Sequence, residues 1–323
     1  MAAMREAADR WLRGWTWARG RVLAALAATS AVLMVFHSAV PNTGAHLGSL
    51  VEAFLPWTGL AVPVLLAAAL LRRSATALVA LLLPVAAWTY LFGGTLLAGD
   101  GGAHDITVVQ HNVSDVNTDP ADTARALMEA GPELIALEEL TPAALPLYEK
   151  TLAPVYPYHA VEGTVGLWST YPLSDVTHLD IRPPGITDTG WNRGLRATAR
   201  TPWGETAVYA VHLPSVRFRP TGFASGNRDD SAGLLGEALA AEKLERVIVL
   251  GDFNGTADDR GLAPVTSHMT APPGDFAFSW PKTFPVARID QVMARAATVT
   301  DIRTLRATGS DHLPIAAGIR FAS

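Results

Sequence analysis

The sequence predicts an α/β protein behind a membrane anchor: three transmembrane helices within residues 1–98, a linker at 99–104, and a four-layer α/β sandwich over 105–321, two packed β-sheets flanked by helices. Three observations lead there. The first hundred residues contain three long runs almost without charge. The remainder alternates short β-branched runs with helical stretches, the order expected of packed sheets with helices outside. Charge also divides unevenly, with 7 Lys+Arg against 4 Asp+Glu in residues 1–100 and 18 against 26 thereafter, within a net charge of −5.

Composition bounds the class. The 323 residues are 49% hydrophobic and 17% charged, against ~25% charged in an ordinary soluble domain. That excludes a disordered or fibrous chain and argues against a purely cytosolic one. With no cysteine, disulfides, thiolate metal sites and cysteine nucleophiles are excluded.

The predicted spans are 22–40, 53–71 (interrupted by Pro56 and Pro63) and 75–98. Each approaches the ~20 residues that cross ~30 Å of hydrocarbon. The first exceeds a signal-peptide apolar region and lacks a small-residue cleavage site, so it reads as an anchor. Arg5, Arg10, Arg13, Arg19 and Arg21 precede it, and Arg72 and Arg73 separate the second and third. Basic residues favour the cytoplasmic side. The expectation is a multi-pass protein of the cell membrane with its N-terminus cytoplasmic and everything past Ala98 extracellular. Glu52 is expected at an outer edge, hydrated. No charge lies deep in a span, which argues for an anchor rather than a transport path.

Gly99–His104 reads as a flexible linker. Beyond it, Ile106–Gln110, Glu133–Leu137, Thr164–Ser169, Val176–Ile181, Gly194–Arg200, Thr206–His212, Arg246–Leu250, Arg288–Ala294 and Ala316–Phe321 read as strands. Asp119–Ala130 reads as a helix with Asp119 as N-cap and Pro120 in its first turn, and Ser231–Leu244 as a second.

Polar residues gather at the strand ends: Asn112, Glu138 and Glu139, His212, Asp252 and Asn254, Asp290, then Asp311 and His312. Loops held by a rigid sheet are the common place for a site. Carboxylate, amide and imidazole without thiol suit Mg²⁺, or Mn²⁺, better than zinc. Singly, each has a structural reading: Asp252-Phe253-Asn254 as a turn, His212 as a surface histidine, Asp311 as a cap.

Taken in order, QHNV (110–113), IALEEL (135–140), VGLWSTYPLSD (165–175), YAVHLPS (209–215), VLGDFN (249–254), RIDQV (288–292) and GSDHLP (309–314) resemble the endonuclease/exonuclease/phosphatase superfamily, the DNase I-like group. The resemblance spans 105–321. It implies a Mg²⁺-dependent hydrolase of phosphoester bonds. On it, Glu139 binds the metal, Asn112 helps hold the metal and orders the nearby carboxylates, and Asp311 adjoins it. Glu138 stands where the family often has Gln, as support or as a surface charge. Asp252 would orient or deprotonate water, Asn254 and His212 would contact the phosphate, and Asp290 would orient His312. Ser215, Arg193 and Arg217 are substrate-binding candidates, with Arg219 and Arg228 nearby, in or beside the long loop Pro214–Asn227.

The layout and the blocks YAVHLPSVR and GDFNGTADD also resemble a membrane-anchored bacterial branch that includes teicoplanin-resistance membrane proteins. That implies a lipid-linked phosphate of the cell envelope, a link to glycopeptide resistance, and contact with membrane lipids. Two other readings stand beside it: an exported nuclease and a non-catalytic interaction module. Nucleic acid needs clustered cations, which a balance of −8 over residues 101–323 disfavours. No core family residue is missing, which disfavours the third. No protein partner is inferred.

Overall fold

The computed structural model describes residues 17, 19–97, 102–272 and 276–322. Arg5, Arg10 and Arg13, and part of the predicted linker, lie outside them. The chain divides into two units: residues 1–41 with 54–97, and residues 42–53 with 98–323.

The first unit is helical, and the three expected spans are not all formed. The run 22–40 is an α-helix only over Arg21–Val35, 15 residues, followed by a 3₁₀ turn at His37–Ala39. At 1.5 Å per residue it falls short of a ~30 Å hydrocarbon layer. The run 53–71 is broken. Leu47–Ala53 and Leu55–Leu71 meet at 74°, and Pro56 opens the 3₁₀ segment Leu55–Leu60 that begins the second arm. Proline supplies no N–H to a continuing helix. The third run holds: Ala75–Leu96 is long and apolar enough to cross a membrane, and Ser74 caps it by accepting from the Ala77 N–H. Among the described residues, one helix meets that standard, or two if the bent pair is one span.

This unit packs on alanines together with Met34, Leu65, Leu81 and Phe92. Ala27, Ala31, Ala69 and Ala77 are buried, whereas Val22, Val64, Leu71, Leu82 and Tyr90 are exposed.

Among the described residues the second unit has thirteen strands: β1 (Ile106–Asn112), β2 (Leu134–Glu138), β3 (Tyr158–Glu162), β4 (Val165–Ser169), β5 (Leu173–His178), β6 (Gly194–Thr201), β7 (Gly204–His212), β8 (Arg217–Arg219), β9 (Gly222–Ala224), β10 (Val247–Asp252), β11 (Asp290–Arg295), β12 (Ala297–Thr304) and β13 (Ile315–Phe321). One sheet runs β12-β13-β1-β2-β4-β3, the other β11-β10-β7-β6-β5, and β8-β9 form a separate hairpin. Val108, Leu134 and Leu167 of the first sheet share a core with Leu195, Val208 and Leu250 of the second. Helix Gly226–Ala241 covers the outer face of the second sheet through Leu235 and Leu239. Helices Pro120–Met128 and Leu145–Leu152 cover the first through Leu127, Tyr148 and Leu152. The second unit is the four-layer sandwich the sequence predicts.

Differences are local. The Asp119 carboxylate accepts from the Asp122 N–H, as a cap should. The strands β3, β12, β8 and β9 and the helix Leu145–Leu152 carry weak sequence patterns and are additions. Helix Gly226–Ala241 starts five residues earlier than read, because Gly226-Asn227 mask a helical start.

Candidate active site

Side-chain parity explains why the polar residues meet. Residues two apart in a strand share a face. Val108, Leu134, Ala136, Val208, Ala210, Ile248, Leu250, Val292 and Ala294 all face the layer between the sheets. Gln110 and Asn112, Glu138, His212, Asp252 and Asp290 continue the same alternations to one end of that layer. Register aligns them: Asn112 lies opposite Glu138, and Asp252 lies between His212 and Asp290.

Glu139 is the exception. Alternation alone would send it to the opposite face from Glu138. Instead it follows β2 with φ 61°, a left-handed conformation uncommon outside glycine, and its carboxylate turns into the site. Asn112 Nδ2 donates to Glu139 Oε1 at 3.0 Å and to Asp252 Oδ2 at 3.1 Å. The Asn112 amide oxygen accepts from the Ser114 N–H. Asn112 therefore orders the two carboxylates as a donor, as expected, while its amide oxygen faces the turn at Ser114.

Asp252 Oδ2 is the hub. His212 Nε2 is 3.6 Å from it and His312 Nε2 3.8 Å, while His212 Nε2 is also 3.9 Å from Glu139 Oε1. His312 Nδ1 and Asp290 Oδ2 are 2.9 Å apart, and both residues are buried. Ser310 anchors the histidine's loop, donating to the Asn112 carbonyl and accepting from the His312 N–H.

The two imidazoles differ in charge. Burial works against the His312 cation, but Asp290 and Asp252 outweigh it and push its pKa up to about 10. Burial, then Arg193 and His312, hold His212 well below the usual histidine range. His312 is thus the cation and His212 a neutral ring. Burial opposes ionisation of Asp290, yet His312 brings its pKa below the usual carboxylate value. Burial raises Asp252 to about 7, with His312 opposing the rise.

Glu138 is not a surface charge. It is fully buried, and burial followed by Asp290 raises its pKa well above the ordinary value. Gln110 Nε2 bridges the sheets, donating to Glu138 Oε2 at 2.7 Å and to Asp290 Oδ1 at 2.9 Å. Sequence reasoning missed Gln110, although its parity with Asn112 carried the signal. His111, of opposite parity, sits away from the hub against Thr308.

Asn254 has φ 48° and donates its amide to the Leu213 carbonyl, so it shapes the turn after β10. Its N–H donates to Asp252 Oδ1 at 2.8 Å. Gly251 before it has φ 151°, and any Cβ there would collide with the Val211 carbonyl. Asp311 is exposed beside His312. Arg193 is half-buried, with Nη1 3.3 Å from both ring nitrogens of His212. It also lines an adjoining cavity of about 470 Å³ with Trp191, Ser215, Arg217, Arg219 and Asn227. Arg228 does not join them: it is buried in ion pairs with Asp229 and Asp259.

The donor set suits a hard divalent cation. Glu139, 29% exposed, offers an accessible carboxylate next to Asp252, and oxygen-only ligands match Mg²⁺. The ligand atoms of Asp252, Asp290 and His312 also lie within 4.8 Å of one another, but the His312–Asp290 hydrogen bond commits two of the three.

Residues 102–312 match the Endonuclease/Exonuclease/phosphatase family. The chain belongs to that family. Solved structures share its fold. One is a D. rerio TDP2 humanised by 14 mutations, 20% identical, with a TM-score of 0.54 over 67% of this chain and 98% of that one. Another is Sphingomyelinase C from Streptomyces griseocarneus, 17% identical, TM-score 0.51, over 66% and 98%. A third is a beta toxin from Staphylococcus aureus with bound magnesium ions, 14% identical, TM-score 0.51, over 66% and 99%. No curated protein matches the sequence.

Proposed function

We propose that this member of the family is a membrane-anchored, metal-dependent phosphoesterase that hydrolyses a phosphate ester or pyrophosphate, lipid-linked, at the outer face of the membrane. The observation that carries the reading is the convergence of Glu139, His212, Asp252, Asp290 and His312 on one hub, beside a cavity bearing three arginines. Phosphoryl transfer spreads charge over equatorial oxygens. The His312 imidazolium, fixed by Asp290, binds one of them. His212 donates to another, and Arg193, Arg217 and Arg219 hold a further anionic part of the substrate. Asp252 orients the attacking water and takes its proton. Glu139 would hold the cation, with Asn112 and Asp311 as the further ligands that the resemblance implies, and the cation would supply charge neutralisation and a more acidic water. The magnesium of the S. aureus beta toxin supports that choice.

The anchor rests on the first unit. Alanines at the buried helix contacts and large apolar residues such as Val22, Val64, Leu71 and Leu82 turned outward fit helices in lipid. The resemblance to teicoplanin-resistance membrane proteins supports a cell-envelope substrate and a role in glycopeptide resistance. The acidic balance still weighs against a nuclease. A reporter fused after Ser323 should be active only outside the cytoplasm, and activity confined to the cytoplasm would overturn that orientation. The function is tested with the full chain in detergent, with and without Mg²⁺, on lipid phosphates, lipid pyrophosphates, soluble phosphodiesters and plasmid DNA. Metal-dependent release from lipid substrates is expected, and a preference for DNA would make it a nuclease.

A further inference from the structure

The stretch Asn42–Ala53 lies in sequence between two apolar helices, where a hydrated loop is expected, yet it belongs to the catalytic unit. Glu52 is 2% exposed. Its Oε2 accepts from the Arg260 backbone N–H at 3.0 Å and from Arg260 Nε at 2.8 Å, and its Oε1 from Arg260 Nη2 at 2.8 Å. The Arg260 guanidinium rests so closely on Gly48 that a Cβ there would lie 2.6 Å from it. At the other end of the stretch, the Ala45 carbonyl accepts from the Phe223 N–H of β9 at 2.9 Å. Gly222, φ 126°, lets the hairpin approach, since a Cβ would strike the Ala45 backbone. His46 Nδ1 lies 2.9 Å from Ser225 Oγ and 3.6 Å from Asp229 Oδ2.

Both arms lead to the site. The hairpin gripped by Ala45 carries Arg217 and Arg219, which line the cavity beside Arg193, and His46 holds Ser225 and Asp229 at the start of the helix that follows the hairpin directly. The loop gripped by Glu52 carries Asp259. Asp259 pairs with buried Arg228, and Arg228 donates to the carbonyl of Asn254, whose N–H holds Asp252.

We propose that Asn42–Ala53 is a positioning element of the active site: Ala45 and His46 fix the β8–β9 hairpin and the helix start that follows it, and so set the arginines that bind the anionic substrate, while Glu52 fixes the loop at Asp259–Arg260 and so supports the turn that holds Asp252. This rests on the phosphoesterase reading. It also means that a fragment beginning at 102 lacks part of its own catalytic unit. A two-point clamp of this kind holds a short hairpin that buries little of its own; Phe218 and both arginines are exposed. Without the clamp the hairpin samples many conformations, and binding weakens by the fraction of time it is out of place.

The test uses the full chain in detergent, with His46→Ala and Glu52→Gln, neither of which touches substrate. Limited trypsin digestion reads the clamp without reference to activity. Cleavage after Arg217 should accelerate about tenfold in His46→Ala, while cleavage after Lys150, within the helix Leu145–Leu152, stays slow and reports that the unit is folded. On the phosphoester that the wild type hydrolyses best, His46→Ala should raise KM about tenfold with kcat within about twofold, whereas Glu52→Gln, whose loop supports the turn that holds Asp252, should lower kcat about tenfold. His46→Gln, whose amide can still donate to Ser225 Oγ while the Ser225 hydroxyl donates to Asp229, should restore both values if the contact rather than general stability matters. Unchanged cleavage and unchanged KM in His46→Ala, or unchanged kcat in Glu52→Gln, would overturn the proposal. So would loss of kcat alone in His46→Ala, or His46→Gln behaving like His46→Ala. If no phosphoester is hydrolysed by the wild type, the functional reading fails, and the trypsin result alone then decides whether the clamp exists.

Discussion

Replacing His312 with alanine is expected to lower turnover by roughly 10³-fold, the scale of losing a preorganised transition-state contact. The ring is buried, bonded to Asp290 at 2.9 Å, and charged because Asp290 and Asp252 outweigh the cost of burying it. The alanine side chain removes the cation and leaves both carboxylates uncompensated. Asp290→Asn should cost less. It keeps one hydrogen-bond acceptor, for His312 Nδ1, turns an amide N–H toward Gln110 in place of the second oxygen, and removes the charge that sustains the imidazolium. If Asp290 acts only through His312, the double variant should be no slower than His312→Ala, because a partner adds nothing once its target is gone. Steady-state kinetics of the four proteins decides it. Additive losses would show two independent roles.

The second large effect is expected at Glu139. Glu139→Gln preserves volume and removes the accessible carboxylate of the cation site, so Mg²⁺-dependent turnover should fall by more than the roughly 10- to 100-fold typical of groups that merely support a metal ligand. A thermal melt without metal should remain close to wild type. Glu138→Gln is the informative neighbour. Glu138 is buried, and an amide at that place can still accept from Gln110 Nε2, so its loss should be much smaller. Equilibrium Mg²⁺ binding separates the two. If Glu138→Gln is the more damaging, the roles of the adjacent glutamates are exchanged.

Much of the second unit was legible residue by residue. β-branched runs, the Asp119-Pro120 helix start and the GDFN turn are local signals, and local sterics and hydrogen bonding enforce them whatever surrounds them. The composition of the site was legible too, because its members end strands, and strand ends can be read from alternation. The first unit was less so. Hydropathy marks a run as apolar but not where a helix stops within it. The chain leaves the helix after Val35 and bends near Pro56 for reasons of backbone geometry that a count of apolar residues does not register.

The sequence by itself determined that an apolar stretch precedes an α/β sandwich, the order of the strongly patterned strands within it, and the gathering of polar residues at the strand ends. These follow from periodicity, which is a property of neighbours in the chain. Only the tertiary structure decided that Glu139 turns into the site through a left-handed residue, and that Glu138 is buried against Gln110 and Asp290. Only it decided that Arg228 is consumed by two aspartates rather than offered to substrate, and that Glu52, 208 residues from Arg260, is buried against it. A charged side chain looks the same in sequence whether it is solvated or paired. Which of the two occurs is set by the desolvation that burial imposes and by the partner that burial brings within reach.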